Sequence, residues 1–226
     1  MPTKQLKLWK TEKSNERKGT KNQSYFGKAF KLFSKEGIDN VTMNNIADKA
    51  EIGVASLYRY FSTKEELAIQ CATKMWQIEK EKANGFFTNQ EYLEKSGIAQ
   101  LHSILSYFED SFDSTQDFYR FIYYFDSYIK RQSIENEKLV DYEKIVEEIT
   151  DIAYKAIEKG IKDSSITEKK VNPQILTLTV MHSFFSLSQK LSLSGGMLAQ
   201  DISIPPKIQL EVLKELIISS LSISKK

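Results

Sequence analysis

The sequence is short of the residues that staple, turn or anchor a chain. It has one cysteine, Cys71, four prolines and nine glycines in 226 residues. A lone thiol closes no internal disulfide and leaves no Cys-x-x-Cys pair, which fits a reducing, cytoplasmic location. So little glycine and proline suits long helices, because a sheet-rich chain spends more of both on its turns. The polar, basic start, Met1 to Lys13, lacks the apolar stretch of a secretory signal. No run approaches the ~18 to 20 apolar residues of a membrane span, so no membrane partner is expected. Histidine is limited to His102 and His182, and single histidines on apolar faces are usually core residues. There is no glycine-rich phosphate loop, no paired histidine and no Ser-His-Asp spacing. No catalytic residue, metal ligand or cofactor is therefore assigned, and an enzyme is not expected. A purely structural helical adaptor is an alternative from another class.

What the chain does contain is apolar surface and an uneven charge. With 41% hydrophobic and 12% aromatic residues it can bury a sizeable core. The net charge of +2 hides a split. Residues 1–64 hold 13 Lys/Arg against 6 Asp/Glu, and the remainder 19 against 24. A basic front on a mildly acidic body suits a polyanion at the front, although charge alone is equally compatible with a solvated lysine-rich face.

Periodicity predicts an all-α protein of about nine helices. Residues 1–20 read as a flexible basic arm. Tyr25, Phe26, Ala29, Phe30 and Phe33 share one face of a helix over 21–36, stopped by Gly37. Thr42 is a good N-cap for a short helix carrying Met43, Ile46 and Ala47 inward. Gly53 supplies a turn before a very short helix over 54–60 with Leu57 inward. Thr63 and Glu66 satisfy a capping-box pattern at the start of a long fourth helix to about Lys82. A loop over 84–90 is then expected, followed by helices over 91–111, 116–131 and 137–162. Asn172-Pro173 opens another over 173–194, closed by Gly195-Gly196, and Pro205-Pro206 opens the last, over 207–222.

Three short helices followed by a long one, at the basic end, make the informative pattern. A two-turn helix after a tight turn can enter the DNA major groove, about 12 Å wide. Tyr58, Arg59, Tyr60 and Lys64 carry donors suited to phosphates. Lys64 sits in the first turn of its helix, where the dipole disfavours a cation, so an anion nearby would explain it.

The string from Phe30 to Leu67, FKLFSKEGIDNVTMNNIADKAEIGVASLYRYFSTKEEL, resembles the N-terminal region of the TetR family of transcriptional regulators. The matching pieces include Glu36-Gly37, Val41-Thr42, Ile46-Ala47, Leu57-Tyr58-Arg59-Tyr60-Phe61 and Lys64-Glu65-Glu66-Leu67. The resemblance implies a helix-turn-helix DNA-binding domain over 21–67 and a helical effector-binding and dimerisation domain over 68–226. It implies phosphate contacts from Thr42, Tyr58, Tyr60 and Lys64, and groove or base contacts from Asn44, Val54, Ala55, Ser56 and Arg59. Two departures stand out: Glu51 where the family usually has Gly, and Gly53 where it often has Ser.

The resemblance also implies a small-molecule effector, a homodimer on double-stranded DNA with a near-palindromic operator, and most often repression released by ligand. The fourth helix would carry the signal. The aromatic run from Phe118 to Tyr128 exceeds what one core face absorbs, so part of it is expected to line a cavity for an apolar or aromatic ligand. Leu101, Leu105, Phe108, Phe118, Phe121, Ile122, Phe125 and Phe185 are the candidates. Asp110, Asp113, Asp117 and Asp126 either add a cationic preference or are simply solvated. The dimer is expected through the last two helices, where Met181, Phe184, Leu187, Leu213, Leu216 and Ile217 make apolar stripes.

Overall fold

The computed structural model describes residues 25–167, 172–194, 197 and 199–222. The expected basic arm at 1–20 and the Gly195-Gly196 stop lie outside them. The fold is all-helical, and among the described residues the only extended pairing is one antiparallel bridge, Ile166 with Ser222.

The front of the chain is three short helices, α1 (25–36), α2 (Met43–Lys49) and α3 (Val54–Tyr58), closed by α4 (Lys64–Phe87). Ala29, Phe33, Ile46, Ala47, Leu57 and Phe61 are fully buried between them. Thr42 caps α2 through a capping box with Asn45, a residue that the sequence pattern had not singled out. Thr63 caps α4 by accepting from the Glu66 N–H, while Glu66 reaches back to the N–H of Ser62 rather than that of Thr63.

The body is α5 (Gln90–Glu94), α6 (Gly97–Arg131), a 3-10 turn (Asn136–Leu139), α7 (Val140–Lys162), α8 (Pro173–Ser194), α9 (Ala199–Ile202) and α10 (Pro206–Leu221). Three sequence expectations are corrected here. The fourth helix continues to Phe87, so most of the loop expected over 84–90 is helical: Ala83 and Phe87 are buried and pay for the extension. The helices expected over 91–111 and 116–131 are largely one helix of 35 residues, about 52 Å long. The polar stretch Ser111–Thr115 reads as a break, yet it contains no glycine or proline. Its Ser114 and Thr115 hydroxyls donate to the carbonyl of Ser111, so the helix carries them without losing a backbone bond. The seventh helix ends at Lys162 as expected but begins at Val140, after the 3-10 turn that takes up Asn136–Leu139.

Gly97 and Gly160 let α6 and α7 touch backbone to backbone. A Cβ on Gly97 would lie 1.9 Å from the amide nitrogen of Gly160. The buried Lys214 of α10 pairs with Glu109 of α6 at 2.7 Å, tying the last helix to the longest one. No helix among the described residues is long and apolar enough to cross a membrane.

Candidate DNA interface and interior recess

The α2–turn–α3 unit divides its side chains cleanly. Met43, Ile46, Ala47 and Leu57 face the core, while Thr42, Asn44, Ala55, Tyr58 and Arg59 are exposed. Tyr58 leaves 50% of its surface to solvent, much for an aromatic ring with no core to fill. Val54 and Ser56 are half-buried at the base of α3. Tyr60, expected as a phosphate donor, packs its ring 5.5 Å from that of Tyr25 on α1, with the Arg59 guanidinium 5.8 Å from its centroid. The packing of a tyrosine on α1 therefore falls to Tyr60 and leaves Tyr58 free.

Lys64 has a more demanding position than phosphate donation requires. Its ammonium donates to the carbonyls of Ile38, Val41 and Asp39 at 2.7, 2.9 and 3.3 Å, using all three of its N–H bonds. Burial lowers its pKa, and the nearby Asp39 carboxylate partly offsets that. The lysine thus closes the α1–α2 loop, which explains a cation in the first turn of α4 without an external anion. Thr42 is similarly engaged, donating its hydroxyl to Asn45 at 2.6 Å.

The turn between α2 and α3 is a Schellman motif. The N–H of Ile52 bonds the carbonyl of Ala47, and that of Glu51 bonds the carbonyl of Asp48. Glu51 takes the left-handed position, φ 56°, and its side chain is exposed. The motif prefers glycine at that position because a Cβ crowds the following carbonyl.

Residues 27–71 match the family described as bacterial regulatory proteins, tetR family. The match covers the helix-turn-helix end of the chain, α1 to the start of α4. A curated relative, an HTH-type transcriptional regulator of Staphylococcus aureus (strain USA300), is 49% identical over 39 residues. That stretch covers 17% of this chain and 21% of the relative, so the likeness is confined to about a fifth of the relative's length. The whole fold is shared more widely. A regulator of Saccharomonospora viridis in complex with choline aligns with a TM-score of 0.69 at 11% identity, over 89% of this chain and 97% of its own. The transcriptional regulator FadR of Bacillus subtilis, in complex with stearoyl-CoA, gives 0.64 at 14%, over 88% and 98%. The ketosteroid regulator KstR2 of Mycobacterium tuberculosis gives 0.65 at 13%, over 90% and 95%. At these identities the structural likeness speaks for the fold.

Within the helical body, the residues expected to line an effector cavity fall into separate places. Leu101, Leu105, Ile122 and Phe125 are closely packed core. Phe121 is a joint between the two parts of the chain: its ring lies 5.5 Å from Phe30 and 6.1 Å from Phe33, both on α1. Phe108 and Phe118 line a narrow internal cavity of about 20 Å³ together with Trp76, Tyr107, Thr115 and Tyr119. That is room for about one water. Phe185 stacks on Trp76 at 5.5 Å. A cavity sized for a ligand is therefore not open among these residues, because interiors pack densely wherever aromatic rings can meet. The larger concavities are open grooves, one of about 570 Å³ between Phe86, Tyr92, His102 and Tyr107. His102 lies 3.7 Å from Glu215 and His182 is exposed; neither is the core residue expected.

The sequence reading weighed Asp126 only as a cationic preference or a solvated carboxylate and did not connect it with the polar groups near Trp76. Asp126 of α6 faces Tyr142 of α7 and Gln189 of α8, and Tyr142 in turn faces Trp76 of α4. Desolvation by these neighbours pushes the Asp126 carboxyl up to about 6, although the residue as a whole is exposed. No local pattern marks these four residues, which span more than a hundred positions of sequence.

Proposed function

We propose that this chain is a transcriptional repressor that binds a near-palindromic operator as a homodimer and is released by a small molecule. The observation that carries it is the helix-turn-helix whose buried face is complete and whose exposed face presents Asn44, Ala55, Tyr58 and Arg59. Arg59 offers base or phosphate donors, Asn44 suits adenine, and Ala55 suits a thymine methyl. Thr42, Val54, Ser56, Tyr60 and Lys64 would then hold the surface in shape as much as touch DNA.

A second copy suits the face made by α8 and α10. Ile175 and Leu178 on α8, and Ile208, Val212 and Leu216 on α10, are large apolar residues left exposed. On α10 they recur every four residues, one continuous stripe. Pairing two such faces about a two-fold axis gives a four-helix bundle and places two recognition helices on one side of a duplex.

Small-molecule control is supported by two structural neighbours solved with choline and with stearoyl-CoA. The route to DNA would run through α6 as well as α4. The C-terminal half of α6 meets the front of the chain through Phe121, through the Arg131–Asp39 ion pair, and through the Tyr128 ring 5.7 Å from the Lys64 ammonium. A ligand moves this joint only by as much as its affinity differs between the two arrangements.

Selection of genomic fragments by the purified protein, followed by titration at ~50 and ~200 mM salt, tests the reading. A dimer making ~6 to 10 phosphate contacts should lose ~10³- to 10⁵-fold in affinity across that range. Tyr58→Ala and Arg59→Ala should weaken binding with the fold intact, whereas Lys64→Ala should lower the melting temperature as well. A folded protein that enriches no fragment at either salt would overturn the proposal.

A further inference from the structure

The last helix, α10, is apolar on both of its sides. Leu210 and Leu221 are buried against the body, and Leu213, Ile217 and Ile218 pack beside them, partly buried. Ile208, Val212 and Leu216 make the opposite, exposed side. Burial of apolar area alone therefore gives α10 little preference between its two sides. Into the inward side the chain puts a lysine. Lys214 keeps 8% of its surface exposed, and its ammonium meets the Glu109 carboxylate of α6 at 2.7 Å. Two residues along a helix are about 200° around it, so Lys214 inward places Val212 outward. Glu215 lies 4.0 Å from the same ammonium. Two further contacts between α10 and α6, Lys207 with Asp110 at 3.5 Å and Glu215 with His102 at 3.7 Å, are looser and exposed, so solvent and salt screen them.

An apolar pair in place of Lys214 and Glu109 would hold α10 on α6 about as firmly, because desolvating two charges offsets most of their attraction. What the ion pair supplies is a rotation. Turned the other way, α10 would bury its stripe but part Lys214 from Glu109, leaving a buried charge unpaired. We infer that Lys214–Glu109 is a lock that holds α10 with Ile208, Val212 and Leu216 facing outward, and that a second copy of this chain binds only the locked form. The inference rests on the homodimer proposed above and names the residues that prepare its surface. Both copies must be locked. If the outward form falls to a fraction of the chains, the dimer therefore weakens by the inverse square of that fraction. An α10 without the pair, outward in about a third of the chains, dimerises roughly 10-fold less tightly.

Lys214→Met combined with Glu109→Met removes the lock and leaves no orphaned charge, so the full chain should keep or raise its melting temperature. Sedimentation equilibrium should nevertheless show this double variant dimerising at least ~10-fold more weakly than the parent. A second readout works on the monomers. With Val212→Cys added to each background, and both proteins diluted until monomeric, the new thiol reports which way α10 faces. It should react with an aromatic disulfide reagent at least ~3-fold more slowly in the double variant, in proportion to the outward fraction. Cys71 is buried and stays silent. A double variant that dimerises as tightly as the parent would overturn the lock and leave the dimer standing. So would one that loses dimer and melting temperature together with unchanged thiol reactivity. A parent that is monomeric at the highest concentration sedimentation allows would overturn the dimer and the lock with it.

Discussion

The rings of Phe33 on α1 and Phe121 on α6 lie within 10° of parallel, 6.1 Å apart, and both side chains are fully buried. This contact joins the helix-turn-helix to the body directly, through α1 and α6. Phe121→Ala removes it together with the edge contact to Phe30, and should cost about 3–5 kcal/mol. Hydrogen exchange should then quicken in residues 25–36 more than in α7. Uniform quickening across the chain would mean that the ring pair is ordinary core rather than a local joint.

Glu51 pays for its left-handed backbone with no visible return. Glu51→Gly should raise stability by about 0.5–1 kcal/mol, the strain of a Cβ in that region less the extra freedom glycine gains when unfolded. Glu51→Ala keeps the Cβ and should not stabilise. Denaturant midpoints of the three proteins decide it. If the alanine variant gains as much as the glycine one, the relief comes from removing charge.

The α6–α7 crossing predicts an asymmetry between its two glycines. On Gly97 a Cβ would meet the backbone of Gly160 and, at 2.5 Å, the Ala156 carbonyl, neither of which can swing aside. On Gly160 it would meet the Ile166 side chain at 2.5 Å, which can. Gly97→Ala should therefore cost about 3 kcal/mol or more and Gly160→Ala about 1–2. Equal losses in thermal unfolding would refute the backbone contact.

Asp126 should make stability fall with rising pH. Its carboxyl sits near 6 in the folded protein and near 4 when unfolded, so the folded state holds the proton more tightly. The penalty for ionising it in the folded protein is absent below about pH 4, grows through pH 6 and is constant above. Because the residue keeps accessible surface, solvent screening leaves on the order of 1 kcal/mol. Asp126→Asn should melt about 2–4 °C higher than the parent at pH 7.5, and the two should converge near pH 4. A gain that persists unchanged at pH 4 would assign the effect to packing.

The local signals in this chain are those that act over a few residues. Thr42, Gly37, Thr63 and the Asn172-Pro173 pair mark helix starts and stops because capping is settled within one turn. Leu57 inward and Tyr58 outward follow from helical period and a recognisable string of residue types. Continuity through Ser111–Thr115 was not legible, since polar hydroxyl residues look alike whether they end a helix or bond back to it. Lys64 read as a phosphate ligand for a related reason: its charge is visible in the sequence, while the three carbonyls that occupy it arrive from a loop more than twenty residues away.

By itself the sequence determined an all-helical chain with a helix-turn-helix near its basic end, because periodicity, caps and motif spacing are properties of neighbouring residues. Only the tertiary structure decided that Phe121 is a joint rather than a cavity wall, and that Trp76, Asp126, Tyr142 and Gln189 come together. Those outcomes depend on how four helices cross, and crossing is settled by side-chain volumes and backbone approaches, such as Gly97 on Gly160, between residues that are distant along the chain.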